Sequence, residues 1–143
     1  MSRQTPRASV IDELRRWASG TYAHEAAVEL LARALSGHLA GEGWQWVARG
    51  DEGRVWLDAD AITPQSTGAL SGGEQRILAI VASLAGGAPV PLSEVLPGLD
   101  RENAELVVAA MAHATGHHDG ATYELVGDRL VPHPAEPILP WPT

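Results

Sequence analysis

A dense cluster of histidines lies in the run HATGHHD, which extends from residue 113 to residue 119. His113 and His117 are four residues apart, a spacing that brings two rings to one side of a helix and could hold zinc. Gly116 interrupts such a helix, and no third ligand follows at a suitable spacing. A histidine at the end of a helix also interacts favourably with the helix dipole. We therefore expect a helix terminus and no metal, with His113 and His117 as the candidates if one binds.

Residues for covalent or acid–base catalysis lack partners at useful spacings. The chain contains no cysteine, so thiolate catalysis and disulfides are impossible. The patterns G-x-S-x-G, H-E-x-x-H and G-x-G-x-x-G do not occur. Asp58 and Asp60 fit the end of a strand better than a catalytic carboxylate pair. We expect a protein without enzymatic activity and without a cofactor.

The run LSGGEQ, residues 70–75, joins a helix start to residues that can bind phosphate. Ser71 and Glu74 have the spacing of a capping box. The run, followed later by PGLD, also resembles the signature helix and D-loop of ABC-type ATPases, in which the residues matching Ser71, Gly72 and Gly73 bind the γ-phosphate of ATP. The chain has no lysine for a Walker-A loop, and Ser93 replaces the magnesium-binding acid. The resemblance thus implies a degenerate nucleotide binder, and the capping box alone is the simpler interpretation.

Several elements must position these residues in the first half of the chain. Ser9 predicts the start of a short amphipathic helix that Gly20 ends. A second helix follows and ends near Gly37, with an apolar stripe made of Ala27, Leu30, Leu31, Ala34 and Leu35. Residues 44–58 alternate as a β-hairpin does, and residues 61–70 are expected to form a loop.

The second half begins with the helix capped by Ser71, which is apolar nearly all round and is expected at the centre of the core. One helical turn between two prolines and a longer helix capped by Asp100 come next. Gly127 and Asp128 have the composition of a two-residue hairpin turn. We predict an α+β protein, mainly helical with two β-hairpins.

Residues 74–132 resemble a winged helix-turn-helix in the order of their elements, which implies a DNA-binding regulator as an alternative function. The third helix of such a domain enters the major groove, and Arg101, Arg129 and Arg76 are the candidate DNA contacts. The outward face of that helix is, however, expected to carry Glu102, Glu105, Ala109 and His113, which opposes phosphate. The runs LSGGE and PGLDRE together also resemble short proteins of actinobacteria, a resemblance that implies no function.

The charge balance limits the partners of the chain. Ten arginines and eighteen acids give a net charge of −8, which repels nucleic acid and acidic membranes. No apolar run approaches the ~18 residues of a membrane span, and the first residues lack the apolar segment of a signal peptide. We expect a soluble, cytoplasmic protein without a membrane partner.

Aromatic residues suggest where another protein would bind. The chain has five tryptophans and no phenylalanine, and tryptophan and arginine dominate interface energetics. The candidates are Trp44, Trp46, Arg49 and Trp56 on the first hairpin, with Trp44 and Trp46 on one strand face, and Ile138, Leu139 and Trp141 in the proline-rich tail. The tail favours an extended form that docks on its own domain, a partner or a second copy.

These observations favour a non-enzymatic protein-binding or regulatory module. Its expected organisation is a helix–helix–hairpin unit (1–60), a loop (61–70), a winged-helix-like unit (71–132) and the tail (133–143). The expected partner is another protein, with a homodimer as one form of that partnership.

Overall fold

The first two helices, α1 (Val10–Ala18) and α2 (Tyr22–Arg33), begin at the predicted local signals, but α2 ends at Arg33 and not near Gly37 as predicted. In the computed structural model, which describes residues 9–117, 121–134 and 138–143, the Ser9 hydroxyl accepts a hydrogen bond from the backbone N–H of Asp12 at 3.1 Å. That bond satisfies one of the free donors at the helix start. Gly20 turns the chain between the helices at φ +96°, a conformation that glycine adopts without steric cost.

The chain leaves α2 through a left-handed turn. Leu35, Ser36 and Gly37 have φ values of 53°, 58° and 78°, and the first two are strained because their Cβ atoms crowd the following carbonyl. The turn also removes Leu35 from the predicted apolar stripe of α2. Its side chain is 37% exposed, whereas the other four members of that stripe are buried.

The first hairpin is shorter than predicted. Strands β1 (Val47–Arg49) and β2 (Val55–Leu57) pair antiparallel. Trp44 and Trp46 precede β1 in a turn that is closed by a hydrogen bond from the Val47 N–H to the Trp44 carbonyl at 3.1 Å. The prediction that these tryptophans share a strand face was therefore wrong, although their rings stack with centroids 4.9 Å apart.

The loop predicted at residues 61–70 contains a short helix, α3 (Pro64–Thr67). Thr63 and Ser66 form a reciprocal capping box around its first turn. This box lacks the Glu or Gln that marks the usual pattern, and serine at its third helical position substitutes for them. The helix was not predicted because a serine at that position is a weaker sequence signal of a capping box than Glu or Gln.

The second half has the predicted order of elements. Helix α4 (Gly72–Gly86) is followed by α5 (Leu92–Val95), α6 (Arg101–Ala114), β3 (Ala121–Val126) and β4 (Arg129–Pro134). The Asp100 carboxylate caps α6 by accepting a bond from the Asn103 N–H at 2.8 Å. β3 and β4 pair antiparallel around Gly127, whose φ is +63°. The prediction of an α+β, mainly helical fold with two hairpins is confirmed.

One hydrophobic core joins the two predicted units. Helix α2 packs against α1, α4 and α6, and Leu30 and Leu31 belong to the same buried cluster as Ile77 and Leu78 of α4. The apolar run of α4 is buried as predicted. Within the part of the chain that the structure describes, no helix combines the length and apolar character needed to cross a membrane.

Candidate functional site

Two of the four first-hairpin candidates, Trp44 and Trp46, support the fold. Trp46 is completely buried, and its indole N–H donates to the Leu39 carbonyl at 2.8 Å. Trp44 is half-buried, and its N–H donates to the His38 carbonyl at 2.8 Å. Each ring thus ties the start of the hairpin to the turn that follows α2. Trp46 in particular has no surface with which to contact a partner.

Arg49 and Trp56 have different surroundings. Arg49 donates to the Gly53 carbonyl at 2.9 Å and pairs with Glu42 at 2.5 Å, so its guanidinium is held within the hairpin region. Trp56 is 37% exposed. Of the three tryptophans predicted on this hairpin, Trp56 is the most exposed to solvent.

Trp56 lines an open groove between α1 and β2. The groove has a volume of about 450 Å³, and its lining also includes Trp17, the two arginines Arg16 and Arg54, and one acid, Glu13. Arg16 and Arg54 are exposed and form no ion pair with any described residue. Two tryptophans flanked by two unpaired arginines have the composition of an interface hot spot. Trp17, Arg16 and Arg54 were not predicted, because α1 reaches the hairpin only in the tertiary structure.

The second hairpin has an exposed apolar face that we did not predict. Tyr123, Leu125 and Leu130 are 68%, 68% and 69% exposed. The strand register pairs Tyr123 with Pro132 and Leu125 with Leu130. Because side chains alternate between the two faces of a strand, all four project from one face. The alternation in YEL and LVP was visible in the sequence, but it does not reveal that the face stays uncovered.

The opposite face of this hairpin combines apolar and charged side chains, and its Val126 is 54% exposed. It carries Glu124 and His133, whose carboxylate and Nε2 atoms lie 2.7 Å apart, and the exposed Arg129. The hairpin therefore has one apolar face and one mixed face on which an exposed valine lies beside charged groups. Exposed apolar patches of this kind mark interaction sites.

A charged cluster lies between α1 and α2. Glu29 is largely buried and accepts hydrogen bonds from Arg15 Nε at 2.5 Å and Arg33 Nε at 2.9 Å. Burial raises the pKa of the Glu29 carboxyl, but the hydrogen bonds and charges of the two guanidinium groups outweigh burial and lower the pKa below its usual value. Glu29 thus pairs with Arg33, four residues later in α2, and Arg15 of α1 completes a three-residue network.

The tail folds back onto this part of the molecule. The Trp141 indole N–H lies 3.1 Å from His113 Nδ1, and the Arg33 guanidinium lies over the Trp141 ring at 5.0 Å. Leu139 is half-buried, whereas Ile138 is 65% exposed. Of the three predicted tail contacts, Trp141 is used within the chain and Ile138 faces solvent.

His113 is the centre of a buried polar chain. Its Nε2 lies 2.9 Å from the Glu25 carboxylate, and the residue is 7% exposed. His117 is exposed beyond the end of α6, and His118 and Asp119 lie outside the described residues. No group of three or more metal-ligating side chains occurs among the residues that the structure describes.

The start of α4 is capped from within the chain. The Ser71 hydroxyl accepts from the Glu74 N–H at 3.2 Å, and the Ser71 N–H donates to the Glu74 carboxylate at 3.1 Å. These bonds lower the pKa of Glu74. A phosphate approaching Ser71, Gly72 and Gly73 would compete with this carboxylate. The predicted capping box is confirmed.

The candidate DNA contacts have separate surroundings. Arg101 is exposed and pairs with Glu105 at 3.4 Å. Arg76 is half-buried and lies against Gly98, where an added side chain would collide with its guanidinium. Arg129 is exposed on β4.

The predicted outward face of α6 is partly wrong. Ala109 and His113 are 1% and 7% exposed, because this end of the helix is buried against the body of the protein, where His113 meets Glu25 of α2. Glu102 and Glu105 are exposed as expected. The accessible part of the helix is therefore its first half, and it is acidic.

No family model, curated protein or solved structure gives a significant match to this chain. The interpretation of its surfaces therefore rests on their own chemistry.

Proposed function

We propose that this protein is a non-enzymatic protein-binding or regulatory module that docks through the apolar face of its second hairpin. The supporting observation is the exposure of Tyr123, Leu125 and Leu130, each about two-thirds open on one face. A two-stranded hairpin is marginally stable in water unless its apolar face is covered. A partner that covers this face would bury apolar surface and would thereby stabilise the hairpin.

The proposed occupant is an apolar surface of a different protein. Each copy of the chain carries a net charge of −8, so two copies repel one another, which disfavours self-association. The groove with Trp17, Trp56, Arg16 and Arg54 is a second candidate contact of the same function, and its unpaired arginines suit acidic groups on the partner.

The test compares surface variants of equal chemistry. Leu125→Ser with Leu130→Ser removes both leucines from the apolar face. Leu92→Ser with Val108→Ser is the matched control, because those residues are 43% and 51% exposed elsewhere on the protein. Proteins captured from the native host by wild-type and control chains, then purified and mixed with each, should bind the hairpin variant roughly tenfold or more weakly than the other two chains. Equal binding by all three chains would contradict the proposal.

Self-association is a separate outcome of the same experiment. Sedimentation of the wild-type chain over a range of concentrations should give the monomer mass of 15.1 kDa. If the wild-type chain forms a dimer and the hairpin variant does not, the second hairpin is still the contact surface, but its partner is a second copy of the chain.

A winged-helix DNA regulator is the second candidate function. The order of elements from α4 to β4 favours it, and Arg129 on β4 would lie on the wing. The acidic first half of α6 opposes it. We expect weak duplex binding that decreases steeply with salt and shows no sequence preference. Nanomolar, sequence-dependent binding that Arg129→Ala or Arg101→Ala abolishes would make this function the leading one. A cytoplasmic location stays a prediction.

A further inference from the structure

The indole N–H groups of the five tryptophans differ in whether the chain itself supplies an acceptor. Those of Trp44, Trp46 and Trp141 each donate to an atom of the chain. Those of Trp17 and Trp56 have no acceptor among the residues that the structure describes. Both of these tryptophans line the groove between α1 and β2. An indole N–H can only donate and usually finds a partner, so these two donors are available to a ligand.

The arginines of the groove add further donors. Arg16 and Arg54 are exposed and form no ion pair within the described part of the chain, and a guanidinium has donors only. Glu13 is the one acid among the described lining residues, so the lining carries a single net positive charge on a chain of net charge −8. The groove therefore favours acceptors, and above all carboxylates, which form charge-assisted hydrogen bonds with arginine.

The walls of the groove are held in place by the fold. On the α1 wall, Trp17 packs against the core and its ring stacks on His24 with centroids 4.8 Å apart. On the β2 wall, Val55 is 4% exposed, so its neighbours Arg54 and Trp56 project together from the outward face. A surface that is ordered before binding loses less entropy when a ligand arrives.

We propose that this groove binds a short acidic segment of another protein, in which a carboxylate lies next to an apolar side chain or a proline. The apolar group would pack on the rings of Trp17 and Trp56. The carboxylate would accept hydrogen bonds from Arg16 or Arg54. This inference rests on the proposed protein-binding function but not on the second hairpin, because α1 and the first hairpin supply the lining.

Three other kinds of ligand fit the groove less well. The groove is open, so a small molecule would stay partly in water, whereas small-molecule sites usually enclose most of their ligand. A nucleic acid would bring one phosphate per nucleotide towards a chain of net charge −8, and a second copy of the chain is repelled by the same charge. A short segment with one or two acids brings its charge only to the arginines.

Selection from a library of short random peptides on the wild-type chain tests the ligand class without assuming a sequence. The enriched peptides should carry an aspartate or glutamate beside an aliphatic residue or proline. Synthetic copies in which asparagine or glutamine replaces each acid should bind roughly tenfold or more weakly, as expected for the loss of charge-assisted hydrogen bonds. Failure to enrich any peptide, enrichment of peptides without acids, or equal binding by the amide copies would overturn the proposal.

Two double variants of equal charge test whether these peptides lie in the groove. Arg16→Gln with Arg54→Gln removes both guanidinium groups of the lining, and Arg101→Gln with Arg129→Gln removes two that are exposed elsewhere. Both variants lose the same charge, so a general electrostatic attraction would weaken equally in each. The groove variant should bind the selected acidic peptides roughly tenfold or more weakly than the wild-type chain, and the control should bind them as the wild type does. Equal affinity of the two variants would contradict binding at the groove.

The NMR signals of the indole N–H groups report the contact itself. When a selected peptide binds, the signals of Trp17 and Trp56 should shift, whereas that of Trp46 should not, because its N–H already donates within the core. Leu125→Ser with Leu130→Ser should give the same shifts as the wild type, so a failure of docking through the second hairpin leaves this result intact. Shifts confined to other residues, larger shifts of these two signals with a single-stranded oligonucleotide, or a wild-type dimer that the groove variant abolishes would each refute the proposed occupant.

Discussion

Replacing Trp46 and Trp56 by phenylalanine separates a core tryptophan from a surface tryptophan on the same stretch of chain. Trp46 is completely buried and bonds to the Leu39 carbonyl, whereas Trp56 is 37% exposed beside the groove. Both changes keep an aromatic ring and remove an indole N–H. They differ in what the removed atoms contact.

The expected cost at Trp46 has two parts. The lost hydrogen bond leaves the buried Leu39 carbonyl without this donor, which costs about 1 kcal/mol or more. The smaller ring leaves part of its volume empty, which costs about another 1–2 kcal/mol. The sum of ~2–3 kcal/mol is a large fraction of the 5–15 kcal/mol that stabilises an ordinary domain. For Trp56→Phe we expect less than about 0.5 kcal/mol, as for most surface changes.

Urea unfolding of the two variants and the wild-type chain measures this difference. The midpoint should fall clearly for Trp46→Phe at an unchanged slope and remain near the wild-type value for Trp56→Phe. In thermal unfolding the Trp46 variant should melt roughly 6–12 °C lower, at ~3–4 °C per kcal/mol for this chain length. Equal stability of both variants would refute the assignment of Trp46 to the core.

Three further predictions concern local interactions. Glu29→Gln should destabilise the protein by about 1–2 kcal/mol at pH 7, less than a fully buried pair because both arginines are partly exposed. The stabilisation from Glu29 is present above the ordinary carboxyl pKa and is lost as the pH falls through its lowered folded-state pKa, so melting curves of variant and wild type should converge in acid. Ser71→Ala should cost about 1 kcal/mol in thermal unfolding, and Mg-ATP should shift neither melting curve; a shift in the wild type alone would favour the nucleotide alternative. Ser36→Gly should raise the free energy of unfolding by roughly 0.5–1 kcal/mol, because glycine adopts φ 58° without strain. The gain is limited because glycine also increases the conformational entropy of the unfolded chain. A lower melting temperature of this variant would argue against strain at residue 36.

Local features were predictable because their causes lie within a few residues. The caps at Ser9, Ser71 and Asp100 each join a side chain to a backbone N–H three positions later. The turn at Gly127 follows from its residue type in the same way. Such features depend on the nearby sequence alone, and the structure contains each of them.

The candidate site depends on contacts between distant residues and was harder to predict. His113 meets Glu25, which lies 88 positions away, and Trp141 reaches His113 across 28 positions. Periodicity indicated which face of a strand is apolar, but whether Leu125 stays exposed depends on what packs beside it. The residue type of Trp46 suits either an interface or a core. Only its burial in the structure assigns it to the core.

The most direct test of the proposed function is the affinity of a purified partner, obtained by capture on the wild-type chain, for three forms of the protein. Calorimetric titration should give the same affinity for the wild-type chain and for Leu92→Ser with Val108→Ser. The affinity for Leu125→Ser with Leu130→Ser should be weaker by roughly tenfold or more, as expected when hot-spot side chains are removed. Equal affinity for all three forms would contradict docking through the second hairpin.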